Sequence, residues 1–139
     1  MIPKFRAWLK EELEMQDVLA FDTRGHSFLG IEGTHVRVEG WCDYFEVDKQ
    51  AVIMQSTGLK DKNGVESWEG NYLTKEGCWP FFIKWIENEG CLMAVPVNSI
   101  QKTNWKPVSV KELLDKGYVN NSNIYENPEL LESVQNERF

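Results

Sequence analysis

Between Val18 and Val47 the chain breaks into short apolar segments, and this spacing constrains the fold more than any other feature. Val18–Phe21, Ser27–Ile31, His35–Val38 and Tyr44–Val47 are separated by Arg24-Gly25, Glu32-Gly33 and Glu39-Gly40. Segments this short are too brief for packed helices, whereas strands bounded by glycine turns are commonly of this length. Further strands are predicted at Ala51–Gln55 and Val65–Trp68, with Asn63-Gly64 between them as a type I′ hairpin turn. Glu69-Gly70 closes that return. Phe81–Ile86 and Cys91–Val97, joined by Asn88-Glu89-Gly90, form a strongly apolar hairpin expected in the core.

The two ends read differently. Residues 3–8 suit a first strand, with Lys4, Arg6 and Trp8 on one face and Phe5 and Ala7 on the other. Residues 9–15 fit either a helix or a hairpin: Phe5, Trp8, Leu9 and Leu13 form a helical stripe, and Lys10 to Glu14 are good helix formers. Near the C-terminus, Ser109-Val110-Lys111-Glu112 is a capping box, followed by Leu113, Leu114 and the stop residue Gly117. Asn127-Pro128 opens a second short helix, whose apolar stripe is Leu130, Leu131 and Val134. A helix this short is marginal alone and must dock on something. It docks either on its own chain or on a neighbouring subunit, and in the second case those three residues are the candidate oligomer contact.

Composition sets the exclusions. A chain of 139 residues with 42% hydrophobic content can bury a core without staples. Its net charge of −7 and pI near 4.9 oppose general affinity for phosphate backbones or anionic lipid. Cys42, Cys78 and Cys91 are widely spaced and form no CxxC pair, which suits reduced thiols in a cytosol. The opening Met1-Ile2-Pro3-Lys4 leads into charged residues, with no apolar signal region. No apolar run approaches the roughly 20 residues that span a bilayer. The expected location is the cytoplasm, with no membrane partner.

Candidate sites are few. The block Gly58–Gly70 is the most distinctive, and it nominates Lys60, Asp61, Lys62, Trp68 and Asn71 as binding residues; turn geometry explains most of the same residue types. His26, His35 and Cys42 fit no zinc spacing, so no metal and no cofactor is expected. Asp17, Asp22, Glu32 and Glu39 read as solvated carboxylates in a chain with 22 acids. Neither GxGxxG nor a P-loop occurs, and no local signature marks a nucleophile, so no enzyme is expected. Rings beside cations occur at Lys4/Arg6/Trp8, Lys84/Trp85 and Lys102/Trp105/Lys106; single-strand binders use such pairs, but packing against the core is the reading preferred for these tryptophans.

Three segments together carry a resemblance. They are Lys4-Phe5-Arg6-Ala7-Trp8 with Met15 beyond it, the run Met54 to Gly64 continuing to Glu69-Gly70, and Asn123 to Leu131. In this order they resemble the YopX-like family of bacteriophage and prophage proteins. The chain departs from the family pattern at Leu9 and Asn71, where aspartate is usual, and at Ser122, where glycine is usual. The resemblance implies a mainly β fold: a small SH3-like barrel over 1–108, with additional β segments. One or two short helices over 109–139 would dock on the barrel or on a neighbouring subunit. It favours a strand–turn–strand over residues 3–21. It also implies self-association and no transferable activity. The expected role is a non-enzymatic phage accessory protein that contacts itself and a phage or host protein, inside the bacterial host. The alternative is a nucleic-acid-binding module on the same barrel.

Overall fold

The computed structural model describes residues 3–97 and 106–128. The expectations for Lys102, Trp105, Leu130, Leu131 and Val134 lie outside those residues. The chain forms two compact units, with the break between Gln55 and Ser56.

In the first unit β1 (Phe5–Leu9) and β2 (Glu14–Asp22) form a hairpin, settling the ambiguity over residues 9–15. The helix formers there complete only one helical turn, closed by the Leu13 amide N–H on Leu9 O at 2.9 Å and ending with Leu13 at φ +57°. Leu9 is fully buried, and burial on the sheet overrides local propensity. β3 (His35–Val38) and β4 (Tyr44–Glu46) extend the sheet, and the first half of β5 (Ala51–Lys60) pairs with β1. The order is β4-β3-β2-β1-β5. One face packs Ala7, Leu9, Val36, Val38, Phe45 and Ala51 into a core. The segment expected as strand Ser27–Ile31 is instead a 3₁₀ turn at Ser27–Leu29, flanked by a bridge between His26 and Ile31.

In the second unit the far half of β5 pairs with β6 (Glu66–Trp68). A separate antiparallel sheet runs β10 (Val119–Asn123), β7 (Asn71–Thr74), β8 (Phe81–Ile86), β9 (Cys91–Pro96). Helix α1 (Val110–Asp115) covers this sheet through Val110 and Leu113, which pack with Leu73, Ile83, Ala94 and Tyr118. Its cap forms as expected: Ser109 Oγ accepts the Glu112 amide N–H at 3.4 Å. The Glu112 carboxylate lies 3.5 Å from Lys116 Nζ.

The mainly β class holds, but among the described residues neither sheet closes into the expected barrel. Each keeps open edges. The second sheet's β9 edge is partly capped, because Ala94 exchanges backbone hydrogen bonds with Val108 at 2.8 Å and Pro96 has no N–H to offer. The C-terminal region expected to be helical also supplies β10.

Candidate functional site

Register builds the most chemically varied surface of the first unit. Ala20 pairs with Arg37 and Asp22 with His35 across β2 and β3; Arg37 pairs with Tyr44 and His35 with Glu46 across β3 and β4. Side chains alternate along a strand, so these residues share the face opposite the Val36, Val38 and Phe45 core. A bulge between Val18 and Ala20 resets β2 so that this alignment holds.

The loop carrying His26 contributes from above. It is pinned by the His26 and Ile31 backbone bonds at 2.8 and 3.0 Å. His26, His35 and Tyr44 then form a ring cluster, with centroids 5.2 to 6.3 Å apart. With Ala20, Phe21, Asp22 and Arg37 they line a cleft of about 310 Å³. His35 is 3% exposed, although it stands on the outward face of the sheet. Its Nδ1 lies 3.3 Å from Gly33 O and meets it as a donor. Asp22 accepts the Arg24 amide N–H at 2.8 Å. That bond, with the Arg24 guanidinium 3.5 Å away, holds the Asp22 carboxyl below its usual range despite some desolvation.

The Gly58–Gly70 block has a different character. The Asn63-Gly64 turn is not type I′. Gly64 alone has positive φ, and its N–H bonds Asp61 O at 2.9 Å while the Asp61 N–H bonds Val65 O at 2.9 Å. This is a type I turn followed by a left-handed glycine, the common three-residue hairpin loop. Asp61 is 7% exposed and does not stand at the tip. Its Oδ1 accepts the amides of Asn63 and Val65 at 2.9 and 3.0 Å; its Oδ2 accepts the amide and side chain of Asn120 at 2.9 and 3.2 Å. Burial is the largest single influence on this carboxyl and pushes its pKa up, yet those hydrogen bonds together hold it below the ordinary value.

Of the other nominated residues, Trp68 and Asn71 are buried, and Asn71 Nδ2 donates to Asn120 Oδ1 at 3.0 Å. Lys60 and Lys62 face solvent. Three of the five thus serve the fold. Trp85, expected to pack in or beside the core, is 45% exposed. Cys42, Cys78 and Cys91 are free and exposed. Among the described residues no group of three or more His, Cys, Asp or Glu converges on a metal-sized space.

Arg37 and Tyr44 were not singled out by the sequence. The available signal was the alternation of His35 and Arg37 along one strand, with Tyr44 opening the next. It becomes a cluster only when register is known.

No curated protein matches the chain. Among solved structures, protein EF1440 from Enterococcus faecalis is similar at 29% identity and a TM-score of 0.56, over 94% of this chain and 99% of that one. The family model described as YopX protein matches residues 4–132. That match takes in the ten strands of the described residues, and the chain belongs to the YopX protein family.

Proposed function

We propose that this is a non-catalytic accessory protein of a phage or prophage, working in the bacterial cytoplasm through protein contacts and self-association. The observation that carries the reading is where apolar side chains stay exposed. Among the described residues, Leu13, Leu19, Phe21, Phe28, Leu29 and Tyr44 of the first unit and Val65 and Trp85 of the second are exposed. Phe28 is 91% exposed at a turn whose backbone is hydrogen-bonded on both sides, so the ring is held out in solvent by an ordered loop. Exposed aromatic side chains held on an ordered backbone serve as anchors at protein contacts. The short edge strand β4 adds unpaired backbone groups beside them. The family resemblance supports the phage setting, and the absence of any catalytic sequence signature supports a non-enzymatic role.

Sedimentation velocity over a range of concentrations tests this. The expected result is a species heavier than the 16.2 kDa chain that persists in high salt and weakens in Phe28→Ser. A monomer at every concentration, with no nuclease-resistant protein partner recovered in a pull-down, would overturn the proposal.

The second reading is a nucleic-acid-binding module. Half-exposed Trp85 on β8 favours it, because exposed rings stack on the bases of single strands, although Lys84 stands on the opposite face of that strand. The net charge of −7 opposes it. Binding that falls steeply with salt would promote this reading over the first.

A further inference from the structure

The outward face of β2, β3 and β4 carries more hydrogen-bond donors than the fold uses. Arg37 is exposed at mid-strand, and among the described residues its guanidinium has no hydrogen bond or ion pair. The Tyr44 hydroxyl and the His26 ring nitrogens likewise meet no hydrogen-bond partner there; both side chains make ring contacts only. His35 is held through Nδ1 by Gly33 O, which leaves Nε2 for the cleft that the ring lines. Asp22, the one carboxylate lining this space among the described residues, is already met by Arg24.

A cleft that converges unspent donors, and whose lining carboxylate Asp22 is ion-paired with Arg24, favours an oxyanion. The guanidinium fork matches phosphate oxygens two at a time, and phenol and imidazole N–H groups can complete the set. Four rings also line the cleft: Phe21, His26, His35 and Tyr44. His26, exposed at the rim, is the histidine ring on which a base can stack, a contact that tolerates any base because each has a π face. A volume of about 310 Å³ sits at the small end of ligand pockets and matches one nucleotide-sized molecule.

We infer that this cleft binds a small phosphomonoester bearing a flat ring, of the mononucleotide class, with Arg37 and Tyr44 as the principal phosphate donors and the exposed His26 ring as the stacking surface. This goes beyond the protein-contact reading and does not rest on it.

Isothermal titration of the full chain with adenosine 5′-monophosphate and uridine 5′-monophosphate, with adenosine, and with inorganic phosphate tests the inference. Saturable binding of the monophosphates is expected, about tenfold or more tighter than adenosine and also tighter than phosphate alone. Arg37→Ala should weaken it by about tenfold or more, Arg37→Lys by less, and Tyr44→Phe severalfold, as hydrogen bonds to a charged group require. Arg37 is exposed, so its variants should retain the wild-type circular dichroism. No saturable binding, or binding indifferent to Arg37→Ala in a folded variant, would overturn the site. Equal affinity for adenosine would overturn the phosphate half, and equal affinity for phosphate alone the ring half.

Discussion

The Gly58–Gly70 hairpin of the second unit and the His26–Tyr44 cleft of the first spend their polar groups in opposite ways. In the hairpin the buried carboxylate is fully committed. Asp61 alone accepts four hydrogen bonds and ties the loop to β10. In the cleft a guanidinium, a phenol and two imidazoles meet little or nothing within the described fold. The difference separates two kinds of distinctive residue. A residue demanded by geometry is satisfied where it stands, whereas one kept for binding retains unspent capacity. By that measure the most distinctive sequence block is scaffold, and the quieter segment is the candidate site.

The sharpest way to break the comparison is Asp61→Ala. Removing a buried acceptor of four bonds strands the amides of Asn63, Val65 and Asn120, so a loss of about 3 kcal/mol is expected in urea unfolding. A loss below about 1 kcal/mol would show the knot to be dispensable. Gly70→Ala should cost about 2 kcal/mol, because Gly70 has φ +89° and an added Cβ would stand 2.7 Å from the Tyr125 ring. Ser109→Ala should cost about 1 kcal/mol through the lost α1 cap. Arg37→Ala should change stability by less than about 0.5 kcal/mol while weakening ligand binding, the reverse of Asp61→Ala.

Acid titration sharpens the same contrast. In the unfolded chain Asp61 titrates near 3.8, and folding holds it lower. The folded state therefore binds fewer protons at this group. Its contribution to stability is complete above that value and is lost as pH falls through the folded pKa. Stability measured below pH 4 should decline more steeply in the wild type than in Asp61→Asn. Parallel curves would remove Asp61 from the account.

The strands with apolar alternation or aromatic runs were legible in the sequence, as were the capped helix and the mainly β class. Two strands were not. β7, Asn71–Thr74, is only four residues long and directly follows a turn signal. β10, Val-Asn-Asn-Ser-Asn, has no apolar pattern at all. It is a strand because β7 pairs with it and because Asp61 and Asn71 take up Asn120, so tertiary partners override propensity. Ser122, where the family usually has glycine, lies in this strand at φ +79°, which explains the family's preference but was invisible without a backbone. The Asn63-Gly64 hairpin was legible as a hairpin, but its turn type depended on the Asp61 side chain bonding the Asn63 and Val65 amides. The cleft was illegible for a related reason. His35, Arg37 and Tyr44 become neighbours through cross-strand register, and a bulge in β2 fixes which face they share.

The most direct test of this contrast is an amide-resolved NMR titration of the full chain with adenosine 5′-monophosphate. The account predicts that saturable shifts gather at Ala20–Asp22, His26, His35–Arg37 and Tyr44, while Lys60–Gly64 stay in place. Shifts centred on the Lys60–Gly64 turn, with the cleft unmoved, would contradict it and make the distinctive hairpin the site.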